Sequence, residues 1–123
     1  MSEAALSEKQ LGNECYKKKD FAAAITHYSK AIELDPAEIT FVSNLAAVYF
    51  EQKDFATCVA TCETAVEVGR ENRADFKLVA KAMARMGNAY RRMGELDKAK
   101  TAFEKALTEH RTPDYKAALS EVN

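Results

Sequence analysis

Lys77, Lys81 and Arg85 recur at four-residue intervals in the stretch KLVAKAMAR, and no Asp or Glu stands three or four residues from any of them. On a helix they form one stripe of like charges, each adjacent pair costing roughly a few tenths of a kcal/mol. Taken alone, such a stripe is more often a solvated face than a site. The alternative is that it meets an anion from outside the chain, where each charge-assisted hydrogen bond to a carboxylate contributes about 1.5–3 kcal/mol. Cys58 and Cys62 offer a second spacing with chemical potential, one helical turn. Zinc needs two more ligands, and the only histidines, His27 and His110, lie on distant segments. The cysteine pair therefore reads as small packing residues, and neither a metal nor another cofactor is expected. Nor is catalysis, because no carboxylate pair, no Gly-rich phosphate loop and no nucleophile near either histidine is visible.

The totals narrow the classes further. A chain of 123 residues makes one ordinary domain able to bury roughly two-thirds of its unfolded surface. With 18 basic and 19 acidic residues the net charge is −1, which argues against a domain that coats nucleic acid or an anionic membrane. Any anion binding must be local. The N-terminal MSEAALSEKQ lacks the apolar core of a signal peptide, and no apolar run approaches the ~20 residues needed to span a bilayer. A cytoplasmic location follows as an expectation, in which the odd count of three cysteines stays reduced.

The cations need elements to position them, and the chain repeats itself in a way that supplies them. Lys19-Asp20-Phe21 recurs as Lys53-Asp54-Phe55, 34 residues later, and Leu11-Gly12-Asn13 recurs as Met86-Gly87-Asn88, displaced by 75, which is two periods of 34 plus 7. Phe21, Ala24, Ile25, Tyr28, Ala31 and Ile32 recur at three- and four-residue spacings, the pattern of one buried helix face. Asp20 and Asp54 stand where N-caps belong, Pro36 follows the end of the first unit, and Gly69 is expected to be the C-cap of the second. The pattern predicts helix pairs at 5–18 with 21–34, 39–52 with 55–68, and 73–93 with 96–110. A last helix starts near Pro113 with Thr112 as its cap. It is short for the polar cover a terminal repeat needs, about ten residues, so the chain reads as a piece of a longer protein.

These residues resemble the tetratricopeptide repeat family, whose unit is a helix–turn–helix of about 34 residues. Gly12, Ala24, Tyr28, Ala31 and Pro36 fall on its small–aromatic–small–proline pattern, and Gly87, Tyr90, Ala99, Phe103 and Ala106 match it again. The middle unit departs from it, with Ala46 for glycine, Cys58 and Cys62 at the small and aromatic positions, and Arg70 for proline. The resemblance implies an all-α domain over residues 1–123: three repeats at about 5–38, 39–72 and 73–111, the third carrying a seven-residue extension, then a capping helix from about 113. They are expected to wind into a right-handed superhelix whose first helices line a concave peptide groove.

At about 100° per residue, Lys9, Asn13 and Tyr16 share one stripe of the first such helix, with Leu11 and Cys15 packing on the other side. The same offsets give Asn44, Ala47 and Glu51 on the second and Lys81, Arg85 and Asn88 on the third. Lys9, Asn13, Asn44, Lys81 and Arg85 resemble the two-carboxylate clamp of co-chaperone tetratricopeptide domains, which binds chaperone tails ending Glu-Glu-Val-Asp. The phrases QLGNECYKKKDF, EVGRENR and EHRTPD are similar to the Hop/Sti (heat-shock-organising) family, above all to its middle domain. That implies the Met-Glu-Glu-Val-Asp tail of heat-shock protein 90 as partner, with Tyr16, Thr40, Ala47, Glu51 and Asn88 as flanking contacts. The tail of heat-shock protein 70, or an internal helix of another protein, is the alternative. A monomer is expected for the isolated domain.

Overall fold

The computed structural model describes residues 1–123 as seven helices: α1 (Glu3–Lys17), α2 (Phe21–Leu34), α3 (Ile39–Glu51), α4 (Phe55–Glu71), α5 (Phe76–Arg92), α6 (Leu96–Glu109) and α7 (Pro113–Val122). The repeated Lys-Asp-Phe phrase is the turn between paired helices. Lys19 takes the left-handed conformation (φ 62), its N–H bonds back to Tyr16 O at 3.0 Å, and the Asp20 N–H bonds to Cys15 O at 2.8 Å. This double bond is the Schellman closure of a helix. Asp20 then serves the next helix, its carboxylate accepting from the Ala23 N–H at 3.3 Å. Lys53 (φ 63) and Asp54 repeat the arrangement, with Asp54 accepting from the Thr57 N–H at 3.3 Å. Gly94 (φ 80) closes α5 in the same way. Thr112 caps α7 as expected, accepting from the Tyr115 N–H at 3.1 Å.

Two expectations about the extension are corrected. Gly69 does not end a helix: α4 runs on to Glu71, and the chain reverses at Arg73 (φ 52). Gly69 is instead buried where a Cβ would come within 2.8 Å of Ile39 Cδ1 and 2.9 Å of Val79 Cγ2, so its role is close approach of helices. Nor does the added length lie only in the third pair. α4 ends three residues later than position 68 and α5 begins three later than 73, so two long helices of 17 residues share it.

Successive helices pack as neighbours, and α3 also touches α5. The largest buried cluster joins Ile39 and Val42 of α3 to Ala65 of α4, Val79, Ala82 and Met83 of α5, and Ala99, Phe103 and Ala106 of α6. Within repeats, a small residue on the first helix faces a ring on the second. A Cβ on Gly12 would lie 2.5 Å from the Tyr28 ring, and one on Gly87 2.7 Å from the Phe103 ring. The middle repeat keeps the volume by changing both sides: Ala46 carries the extra methyl, and the smaller Cys62 replaces the ring in the same buried cluster. Cys58 and Cys62 are 0% and 1% exposed, packing residues as the sequence suggested. Leu11 differs from expectation, at 40% exposed. It holds the register of Met86, which packs beside α4, whereas α1 packs chiefly against α2 and leaves the Leu11 face uncovered.

Candidate functional site

α1, α3 and α5 each turn one stripe toward a common hollow of about 440 Å³ lined by Tyr16, Ala47, Glu51, Lys81, Arg85 and Asn88. Six of the ten predicted site residues are thus brought together. Lys9, Asn13, Thr40 and Asn44 do not line it; each is half-buried and continues the same stripes of α1 and α3 toward their N-terminal ends. Lys77, one turn before Lys81, is exposed and outside the hollow.

The structure contains four ion pairs, and none includes Lys9, Lys77, Lys81 or Arg85. Arg85 is nonetheless held. Its Nη1 donates to the Ser43 carbonyl at 3.2 Å, tying α5 to α3 across the hollow. A guanidinium has five N–H donors, so this bond leaves the others for a ligand. Its charge reaches several neighbours. Burial first, then the Glu51 carboxylate, lift the Tyr16 hydroxyl above its usual range, while Arg85 draws it back. Burial and Asp114 raise Tyr115, again opposed by Arg85. Behind the hollow, Cys62 is kept protonated by its thiol partner Cys58 and by burial. Glu51 is the one acid among the residues lining the hollow, and it is exposed, so the cations of the hollow favour an incoming anion.

Three more residues line the hollow that sequence reasoning missed: Phe50, Ala84 and Tyr115. Phe50 is fixed edge-on to Phe55 at 5.3 Å with Arg92 over both rings, and its position beside Glu51 was the only clue. Tyr115 comes from α7, outside the repeat arithmetic, and it contacts the imidazole of His110 edge-on at 6.4 Å. His27 pairs with Glu8 at 2.7 Å and His110 lies between Phe76 and Tyr115, so neither histidine meets the cysteines. No three His, Cys, Asp or Glu side chains converge. No helix is long and apolar enough to cross a membrane.

Residues 38–108 match the tetratricopeptide repeat family, and residues 12–53 match a TPR repeat family. Over 99% of its length the chain is 56% identical to stress-induced-phosphoprotein 1 of Caenorhabditis elegans, of which it spans 38%. It resembles the solved N-terminal domain of stress-induced protein-1 (STI-1) from C. elegans, with TM-score 0.92 and 56% identity over 97% of this chain and 94% of that one. The TPR2AB-domain:pHSP90 complex of yeast Sti1 is similar too, with TM-score 0.92 and 45% identity over 96% of this chain and 45% of that one.

Proposed function

The chain belongs to the tetratricopeptide-repeat family, and we propose that it acts as a co-chaperone adaptor module capturing the acidic C-terminal tail of a cytosolic heat-shock chaperone. The observation that carries this reading is the hollow itself: Lys81 and Arg85 line it, and no acid of the chain pairs with either. In this reading Lys9, Asn13, Asn44, Lys81 and Arg85 hold the terminal α-carboxylate and the side-chain carboxylate of a final Asp. Lysine and arginine supply charge, and the asparagine amides supply directed N–H groups. Tyr16, Thr40, Ala47, Glu51 and Asn88 contact the residues before it.

Heat-shock protein 90 is the chaperone this reading favours, supported by the 45% identity to a Sti1 domain pair solved with its peptide. Phe50 and Ala84 add apolar surface to the hollow for the residue ahead of Glu-Glu-Val-Asp. Calorimetric titration with Met-Glu-Glu-Val-Asp and Ile-Glu-Glu-Val-Asp peptides side by side tests this choice. The methionine peptide is expected to bind more tightly. Preference for isoleucine would transfer the assignment to heat-shock protein 70, and binding of neither would end the adaptor reading.

A further inference from the structure

Asn13 is held by a contact that comes from behind the groove. Tyr28 of α2 is 3% exposed, and its hydroxyl donates to Asn13 Oδ1 at 2.6 Å. That is the hydroxyl's only hydrogen bond, and the Asn13 Nδ2 protons have no partner within the chain. A primary amide can turn over, exchanging its oxygen and its NH2 group. Here the two orientations are unequal. If Asn13 turned, its NH2 would donate to the tyrosine oxygen, and the buried hydroxyl proton would be left without an acceptor. The hydroxyl also remains a donor at any ordinary pH, because burial pushes Tyr28 up to about 12.

We infer that Tyr28 is a positioning residue of the anion site: by engaging Asn13 Oδ1 it holds the amide with both N–H groups free for the terminal α-carboxylate of the ligand. The turned amide would present its oxygen, a second acceptor, to an anion. This rests on the clamp reading and deepens it, since it explains how an uncharged member of the set comes to face the ligand as a donor. Internal repetition separates the hydroxyl from packing. Gly87-Asn88 repeats Gly12-Asn13, and Phe103 covers Gly87 as closely as Tyr28 covers Gly12. Phenylalanine therefore satisfies the packing. The third repeat has no hydroxyl there, and its Asn88 is exposed with no hydrogen bond from its side chain. In the middle repeat Ala47 stands at the asparagine position and Cys62 at the tyrosine position, so neither amide nor ring is present.

The test is a double-mutant cycle of Tyr28→Phe and Asn13→Ala, titrated with Met-Glu-Glu-Val-Asp as free acid and as C-terminal amide. Tyr28→Phe should weaken the free acid roughly three- to tenfold and leave the amide unchanged. In the Asn13→Ala background it should have no further effect, because there is no amide left to orient. Unchanged binding of the free acid by Tyr28→Phe, or the same loss with and without Asn13, would overturn the inference. If the unsubstituted protein ignores the terminal charge, the clamp reading falls before any variant is compared and this inference falls with it. A measurement on the unsubstituted protein covers the case of a poorly folded variant: the Asn13 side-chain NH2 resonances should move on adding the free acid and stay put on adding the amide. Their indifference to both would also overturn it.

Discussion

Lys77 and Lys81 stand one turn apart on α5 with the same charge, and only Lys81 lines the hollow. Lys81→Ala should cost about 2–5 kcal/mol of peptide binding, because it leaves a desolvated carboxylate short of a partner. Lys77→Ala should cost little: both lysines are exposed, but Lys77 lies outside the hollow. Melting temperature should hold or rise slightly for Lys81→Ala, since one of several repelling cations is gone. Arg85→Ala differs in stability as well as in binding: it gives up the bond to the Ser43 carbonyl, so a loss of about 0.5–1.5 kcal/mol is expected from denaturant titration. Tyr28 makes a prediction about pH. Its folded pKa of about 12 lies above the ordinary 10, so the native state keeps a proton that the unfolded chain gives up first. The associated stability, on the order of 1–3 kcal/mol, is fully present below pH 10 and is lost as pH rises toward 12. Alkaline unfolding should therefore be less steep in Tyr28→Phe than in the unsubstituted protein.

The helices differ in how plainly the sequence announces them. Apolar spacing and the Asp caps make α2 and α4 start at Phe21 and Phe55 as expected, because an N-cap writes its chemistry in a side chain. The end of α4 was illegible for the opposite reason. Its Schellman closure is made by backbone groups around Arg73, a residue with no turn signature, while Gly69 mimicked a C-cap that it is not. Lys19 and Lys53 conceal the same closure, and a side chain at positive φ carries a cost of about 1 kcal/mol that glycine avoids. Lys53→Gly is accordingly expected to stabilise by several tenths of a kcal/mol up to about 1, measured by urea unfolding. Glycines inside helices mark close approach instead. Gly12→Ala pushes a methyl into the Tyr28 ring, whose place is fixed, and should cost about 1–3 kcal/mol. Gly69→Ala drives a methyl against Ile39 and the stiff, buried Val79, so it too should destabilise, by about 1–2 kcal/mol after the better helix propensity of alanine offsets part of the overpacking.

Across the whole molecule, the site is a product of stacking: no single helix holds more than one stripe of it, and α3 to α6 share the core that fixes their spacing. The three stripes were legible because helical period and repeat period are both written in the sequence. Tyr115 was not, because α7 belongs to no repeat and only its docking brings that ring to the hollow. α7 has no fully buried residue, yet Tyr115, Ala118, Leu119 and Val122 pack on the core, and Glu121 pairs with Arg91. Removing residues 113–123 should lower thermal stability by several °C and weaken peptide binding together, as one wall of the site leaves with the helix. In the proposed function, the unpaired cations await a terminal carboxylate. Calorimetric titration of the unsubstituted protein with Met-Glu-Glu-Val-Asp as free acid and as amide measures it directly. The free acid is expected to bind near the micromolar range, roughly −8 kcal/mol, more weakly as salt is added, and the amide far less well. Equal affinity for the two peptides would contradict it.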